Sequence, residues 1–210
     1  TYSRGYRAGG FTQLSSDPSQ PPLYSFKPEF SNNYEVGWKS RSASQRFSLQ
    51  VAAFYNTVTD AQVPTLVLPQ AIIVTRNAGK LESKGFELEA AALLLKGFEI
   101  SWAFGYTDAK FKTLKLPVNG VETDMSGNRQ VYTPKMTSML TAQYLVHFNE
   151  YKKSGLLLRA EWIYLGEKYF DLANNIRQSP YNLLNLRAGF TTRYVDIMGW
   201  TRNTTDTRYI

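Results

Sequence analysis

The clearest alternation of apolar and polar positions in the chain runs through residues 98–106. A β-strand points successive side chains to opposite faces, so this segment predicts a strand with two unlike faces. One face is large and aromatic: Phe98, Ile100, Trp102, Phe104 and Tyr106. The other is polar or small: Glu99, Ser101, Ala103 and Gly105. Such a strand suits either a sandwich with a buried apolar face or a membrane barrel whose apolar face meets lipid.

The same two-residue period recurs along the chain and predicts about nine strands. They cover residues 2–10, 30–39, 47–55, 72–95, the strand from 98, 136–148, 156–170, 181–190 and 194–202. Phe54, Ser138 and Met139 break the alternation. Residues 90–95 are apolar on both faces and would also suit a helix, but Lys96-Gly97 makes a short turn into the next strand, which favours a strand there.

The connections alternate between short and long. Those near 41–45, 95–97, 149–154 and 192–194 are short, whereas those at 11–27, 57–70, 112–131 and 171–180 are long. An up-and-down meander collects alternate connections at opposite ends, and outer-membrane barrels have short turns at one end and long loops at the other. We therefore predict an all-β fold, an antiparallel up-and-down meander that forms about nine strands of a larger transmembrane β-barrel. An odd strand count argues against a closed single-chain barrel.

Composition narrows the classes further. The chain is rich in aromatic residues, with 14 Tyr, 12 Phe and 4 Trp, which strands and membrane interfaces both favour. It has no cysteine, and His147 is its single histidine, so we expect no resident metal or cofactor. The net charge is +7, but the Lys and Arg residues are scattered, which argues against nucleic-acid binding. No apolar run reaches about 18 residues, and residues 1–10 contain no signal peptide, so we expect any export segment to lie outside this chain.

Several motifs, in order along the chain, resemble those of TonB-dependent outer-membrane receptors. They are YSRGYRAGGF (2–11), KPE (27–29), NYEVGWK (33–39), AFYN (53–56), DAQ (60–62), NAG (77–79), KGFELE (84–89), GYTDA (105–109), YNLLN (181–185) and RNTTDTRY (202–209). None of these motifs is specific alone, whereas the ordered set covers nearly the whole chain. On this resemblance, residues 1–210 are expected to be a C-terminal segment of the receptor barrel that lacks the plug and the final strand.

The resemblance implies a function inherited from a larger protein. Such receptors are plugged barrels of about 22 strands in the Gram-negative outer membrane, which import iron–siderophore or similar complexes with energy relayed by TonB. The implied partners are the ferric siderophore, the TonB complex acting through the plug, and outer-membrane lipid and lipopolysaccharide. The alternatives are a small closed outer-membrane barrel and a soluble β-sandwich that acts as a binding module.

The polar face of the predicted strands is charged. It carries Glu35, Lys39, Arg46, Glu87, Glu89, Glu99, Arg159, Glu161 and Arg187. A cross-strand charge ladder explains most of these residues better than ligand contact, because opposite charges on neighbouring strands stabilise sheets. Glu87 and Glu89 share a face as an acid/base pair would, but no nucleophile motif accompanies them or His147, so we expect no enzyme. The opposite, apolar face is expected to meet lipid through Trp38, Phe47, Leu49, Ile100, Trp102, Leu158, Trp162 and Leu186.

Six residues in or beside the long loops are the candidates for ligand contact: Tyr24, Phe26, Arg129, Tyr132, Tyr169 and Arg177. Tyr169 shares parity with Arg159, Glu161 and Glu167, which predicts that it leans toward the charged face. Aromatic rings and guanidinium groups suit an anionic, aromatic-rich iron chelate. The same residues suit an aromatic girdle at the membrane interface or contact with lipopolysaccharide equally well.

Overall fold

The computed structural model describes residues 1–12, 25–67, 72–77, 79–118, 121–149 and 154–209, and all their regular elements are β-strands. Within those residues, no helix has the length and apolarity needed to cross a membrane. The strands are β1 (Tyr2–Arg7), β2 (Gly10–Phe11), β3 (Ser25–Phe26), β4 (Glu29–Arg41), β5 (Phe47–Thr59), β6 (Gln62–Val67), β7 (Ile72–Asn77), β8 (Gly79–Leu95), β9 (Phe98–Val118), β10 (Val121–Asp124), β11 (Met136–Asn149), β12 (Ser154–Leu165), β13 (Lys168–Tyr169), β14 (Arg177–Gln178), β15 (Tyr181–Thr191) and β16 (Asp196–Thr201).

One sheet follows the chain as an antiparallel meander. Its order is β1-β4-β5-β8-β9-β11-β12-β15-β16, and β10 pairs with the far end of β9. The predicted all-β meander of about nine strands is therefore confirmed. Among the described residues β1 and β16 each have one neighbour and do not pair with each other, so the barrel is not closed. This open single sheet contradicts the alternatives of a small closed barrel and a two-sheet sandwich.

The cross-strand register confirms the two faces, because residues directly opposite each other lie on the same side of a sheet. One row of the apolar face crosses six strands through Leu49, Ala90, Trp102, Leu140, Trp162 and Leu184. The eight residues predicted on this face all fall on it, and none of them is buried. A row of the charged face runs through Glu99, Gln143, Arg159, Arg187 and Trp200.

Neighbouring residues explain two of the breaks in the alternation. Ser138 lies on the apolar face, where its hydroxyl oxygen accepts a hydrogen bond from the Trp102 indole N–H at 2.9 Å. A polar group that would otherwise be unpaired on this face is thus satisfied. Phe54 lies on the charged face opposite Gly85, where a side-chain carbon would stand 2.7 Å from the Phe54 ring. Gly85 leaves the space that this ring occupies.

The turn end of the sheet, formed by residues 42–46, 96–97 and 192–195, carries the short connections. The fourth predicted short turn includes residues 150–153, which lie outside the described residues. Arg46 belongs to this end, and its guanidinium donates to the backbone oxygens of Leu93 and Leu94 at 3.0 and 2.5 Å. Its predicted place on the charged wall is therefore wrong, because its position in the turn directs it to the end of β8.

The opposite, loop end contains more strand than the sequence predicts. Of the connection predicted at 57–70, residues 57–59 extend β5 and residues 62–67 form β6. β6 pairs with β7, which occupies the start of the strand predicted at 72–95, and β8 begins at Gly79. Within the polar connection predicted at 112–131, residues 112–118 continue β9 and residues 121–124 form β10, which pairs with it. The strand predicted over 156–170 ends at Leu165, and the loop predicted at 171–180 contains β14 paired with β13.

These additional strands bury a small hydrophobic core, here called the loop core. It consists of Ala61, Val63, Phe111, Leu114, Leu116 and Met125, with Val58, Leu81 and Leu172 packed against it. All of the buried hydrophobic residues that the structure describes lie at this end of the sheet, from Ala61 to Met125. Segments that are polar in sequence are ordered as strands because they contribute side chains to this core.

Candidate ligand-binding cluster at the loop end

The structure brings four of the six candidate residues together beside the loop core: Arg129, Tyr132, Tyr169 and Arg177. Tyr169 and Arg177 are directly opposite in the β13–β14 hairpin. The Tyr132 backbone N–H donates to the Tyr169 carbonyl oxygen at 2.8 Å. Arg129 is joined to the same connection through Asn174. These four residues are called the loop cluster below.

Glu167 organises the polar side of the loop cluster. One of its carboxylate oxygens accepts from the Tyr169 hydroxyl at 2.9 Å, and the other accepts from Arg177 Nη1 at 2.9 Å. This hydrogen bond to Glu167, with partial burial and the nearby negative charge, raises the pKa of Tyr169, while Arg177 and Arg129 oppose the shift. The sequence analysis did not include Glu167 among the candidates, although its two-residue spacing from Tyr169 places both on one side of a short hairpin.

Asn174 holds the two long connections together. Its side-chain oxygen accepts from the Arg129 backbone N–H at 2.7 Å, and its side-chain nitrogen donates to the backbone oxygens of Arg129 and Asp171, each at 3.1 Å. Asn128 adds a bond from its side-chain nitrogen to the Leu172 carbonyl oxygen at 2.9 Å. Asn174 itself adopts a positive φ of 59°, a conformation that asparagine tolerates better than most residues. The loop cluster therefore has a fixed backbone.

The Arg129 side chain is more buried than its position in a loop suggests. Its backbone pairs with Lys110 of β9, and its guanidinium nitrogens Nε and Nη2 are closed to solvent without a hydrogen-bond partner in the described part of the chain. A buried guanidinium edge without a partner is unusual, because buried polar groups are nearly always hydrogen-bonded.

Tyr132 supplies the exposed aromatic surface of the loop cluster. Its side chain is 66% exposed and meets Phe170 edge-on, with 5.7 Å between the ring centroids. The Lys168 ammonium lies over the Phe170 ring at 5.5 Å from its centroid. Tyr132, Phe170 and Lys168 thus present two aromatic rings and a cation beside one another. This combination suits a ligand that is both aromatic and anionic.

The other two candidates are not part of this cluster. Phe26 forms the short β3 strand, whose partner is β2, and its ring packs against Gly10. The adjacent Lys27 backbone N–H donates to the Asn77 side-chain oxygen at 2.6 Å, which ties β3 to the β6–β7 hairpin. Tyr24 lies outside the described residues. Across the residues that the structure describes, no three Asp, Glu, His or Cys side chains come together as metal ligands would.

Comparison with known proteins places this sheet in a family. A model of the family described as "TonB dependent receptor-like, beta-barrel" matches residues 1–203. The chain therefore belongs to the TonB-dependent receptor β-barrel family, whose proteins lie in the Gram-negative outer membrane. This confirms the resemblance found in the ordered motifs. It also confirms the predicted location.

Individual relatives agree with this membership. The chain is 30% identical over 175 residues to the ferrioxamine receptor of Yersinia enterocolitica, a match that covers 82% of the chain and 22% of the relative. It is 26% identical over 174 residues to the ferrichrome outer membrane transporter/phage receptor of Escherichia coli K12, covering 83% and 22%. The crystal structure of the ferric yersiniabactin uptake receptor of Yersinia pestis superposes with a TM-score of 0.79 at 25% identity, covering 99% of this chain and 29% of that one. The chain thus spans roughly a quarter of the length of these relatives.

Proposed function

We propose that this chain is a C-terminal part of the barrel wall of an outer-membrane receptor that imports iron–siderophore or similar complexes. Further strands from outside residues 1–210 would pair with β1 and β16 and close the barrel around a plug. The two unpaired sheet edges support this assignment, because open edges have no hydrogen-bond partners in lipid. The names of the relatives support the ligand class, since they include ferrichrome, ferrioxamine and ferric yersiniabactin receptors.

The observation that carries the ligand assignment is the convergence of Arg129, Tyr132, Tyr169 and Arg177 at the loop end. The loop core and the Asn174 hydrogen bonds fix this cluster before any ligand arrives, and a fixed site loses less entropy on binding. We infer that Tyr132 and Arg177 contact the ferric complex, whereas Tyr24 and Phe26 remain candidates from the sequence alone. Arg129 would contribute its positive charge.

The remaining partners belong to the same proposal. The apolar face, with rings such as Trp38 at 58% and Trp102 at 41% exposure, would contact outer-membrane lipid and the acyl chains of lipopolysaccharide. TonB would act through the plug rather than through this chain. The chain would neither catalyse a reaction nor bind nucleic acid, and it would hold no metal of its own apart from the iron in the transported complex.

Tyr132→Ala tests the ligand assignment in the full-length protein that contains this chain. The probes are ferrichrome, ferrioxamine B and ferric yersiniabactin, and binding is measured with radiolabelled iron. We expect the change to weaken binding of the preferred complex about tenfold, as loss of an aromatic contact worth about 1.4 kcal/mol would do. Tyr194→Ala is the matched control, because Tyr194 is 85% exposed at the turn end and should leave binding unchanged.

Two outcomes would contradict the proposal. If none of the three ferric complexes binds and deletion of the gene leaves iron-limited growth unchanged, the transport function is wrong. If a complex binds with equal affinity to wild type and Tyr132→Ala, the loop cluster is not the contact site.

A further inference from the structure

A concave site that contains no residue of the loop cluster lies on the charged face. It is formed where β12, β15 and β16 adjoin and has a volume of about 410 Å³. Six residues are named here as the arginine pocket: Arg159, Glu161, Asn185, Arg187, Trp200 and Arg202. The pocket lies near the middle of the wall, since Arg159 and Arg187 pair near the middle of β12 and β15.

The register of the strands forces like charges together in this pocket. Arg159 of β12 stands directly opposite Arg187 of β15, and Arg187 stands directly opposite Trp200 of β16. Like charges in directly opposed positions destabilise a sheet. The single carboxylate in the pocket compensates mainly one of them, because Glu161 Oε1 accepts from Arg159 Nη2 at 2.6 Å and from Nε at 2.8 Å. Arg159 Nη1 also donates to Gln143 at 3.1 Å.

The other two guanidinium groups are available. In the part of the chain that the structure describes, neither Arg187 nor Arg202 forms a salt bridge or a side-chain hydrogen bond, and both side chains are exposed. Arg202 is nevertheless held at the pocket by its neighbour, since the Asn203 backbone N–H donates to the Asn185 side-chain oxygen at 3.0 Å. The Thr204 N–H donates to the Leu184 carbonyl oxygen at 2.7 Å and fixes the same turn. The pocket thus holds two more positive than negative charges.

We propose that the arginine pocket binds a small polyanion through its carboxylate or phosphate oxygens, as a second ligand position on the wall. The proposal rests on the proposed function, in which the charged face lines the lumen. Guanidinium groups bind such oxygens through paired hydrogen bonds, and an anion between Arg159 and Arg187 would relieve their repulsion. The Trp200 side chain, 65% exposed, adds a flat surface for the ligand body. A volume of about 410 Å³ is typical of sites for small molecules.

Anion titrations of the full-length receptor in detergent, without any iron complex present, test this site. The probes are citrate and inorganic pyrophosphate, and binding is measured by calorimetry and by the change in tryptophan fluorescence. Binding of citrate alone identifies a carboxylate site, and binding of pyrophosphate alone identifies a phosphate site. We expect Arg187→Gln and Arg202→Gln each to weaken binding at least about tenfold, because each removes charged hydrogen bonds. Arg187→Lys, which keeps the charge, should weaken it less.

The controls separate the pocket from general charge effects. Arg41→Gln makes the same change in charge at the end of β4, remote from the pocket, and should leave anion binding unchanged. Trp200→Phe should remove the fluorescence response while calorimetry still detects the anion. Arg202→Gln alters an exposed residue beyond the last strand, so it remains informative even if Arg187→Gln prevents assembly.

Two results would overturn the proposal. The first is that wild type binds neither probe, and the second is that Arg41→Gln weakens binding as much as Arg187→Gln. Either result can occur while a ferric complex still binds the wild type more tightly than Tyr132→Ala. Failure of this inference is therefore distinct from failure of the proposed function.

Discussion

The wall of the sheet and its loop end bury apolar side chains to very different degrees. In the wall, Trp102, Trp162 and Leu186 are each about two-fifths exposed at 41%, 40% and 40%. At the loop end, Leu114 and Val74 are 0% and 1% exposed. The wall obtains its apolar surroundings from outside this chain, whereas the loop end packs its own core. The ligand-contact candidates are attached to the part of the molecule that is folded by its own contacts.

The largest expected effect comes from removing the centre of the loop core. Leu114→Ala should lower the free energy of local unfolding by about 2–5 kcal/mol, since Leu114 is fully buried and the change leaves a cavity. Hydrogen exchange of the β9 and β10 amides in the full-length protein measures this effect. Leu158→Ala is the control, because Leu158 is 44% exposed on the apolar face and should change exchange at the loop end little. If both variants lose hydrogen-exchange protection equally at the loop end, the loop end does not depend on its own core more than on the wall.

The second effect concerns the wall. Ile100→Arg places a charge on the apolar face and should reduce membrane assembly of the full-length protein, since a charge near the bilayer midplane costs about 2–4 kcal/mol. Ser101→Arg, one residue further on the charged face, is the matched control and should be tolerated. Folded barrel is quantified by its heat-dependent migration on gels. Similar yields of folded barrel for the two variants would show that the two faces are wrongly assigned.

The smallest expected effect is a shift in the pKa of Tyr169, which lies outside the membrane-spanning segments. Its pKa is raised above the ordinary value of 10.0 by the bond to Glu167, so the folded state favours the protonated phenol. The resulting stabilisation is complete below pH 10 and is lost as the pH rises through the raised pKa. Ultraviolet titration of the wild type against Tyr169→Phe measures that pKa. Glu167→Gln should lower it, and an unchanged titration would show that Glu167 does not contact the hydroxyl.

The strands of the wall could be predicted because one face of each strand meets an apolar environment and the other face a polar one. Alternation in segments such as residues 98–106 is strict where one side chain must suit an apolar and the next a polar environment. The loop end escaped prediction because its strands carry turn-like residues. Pro64 occupies an exposed position on a strand of a two-stranded sheet, where a missing N–H is tolerated, and Pro117 lies opposite Glu122.

The two polar sites differ in how far sequence alone could find them. The members of the loop cluster were chosen by residue type, and Asn174 was missed because its role depends on a contact between distant connections. Glu167 was not chosen, although its contact with Tyr169 is local. In β16 the alternation is poor, since Trp200 shares the charged face with Arg187 while Ile197 and Gly199 take the other. Only the register after the turn at 192–195 shows that Trp200 belongs to the arginine pocket. A one-residue change in that turn would have reversed the assignment.

The loop core has a consequence for engineering receptors of this family. Its side chains come from three separate connections: residues 58–63 and 81 around the β6–β7 hairpin, residues 111–125 of the β9–β10 hairpin, and Leu172 of the connection after β12. A single connection exchanged with that of a relative would meet the remaining two across a surface shaped for another sequence. Chimaeras intended to change ligand preference would therefore need all three connections transplanted as one block, with Asn174 and its Arg129 contact included in the graft.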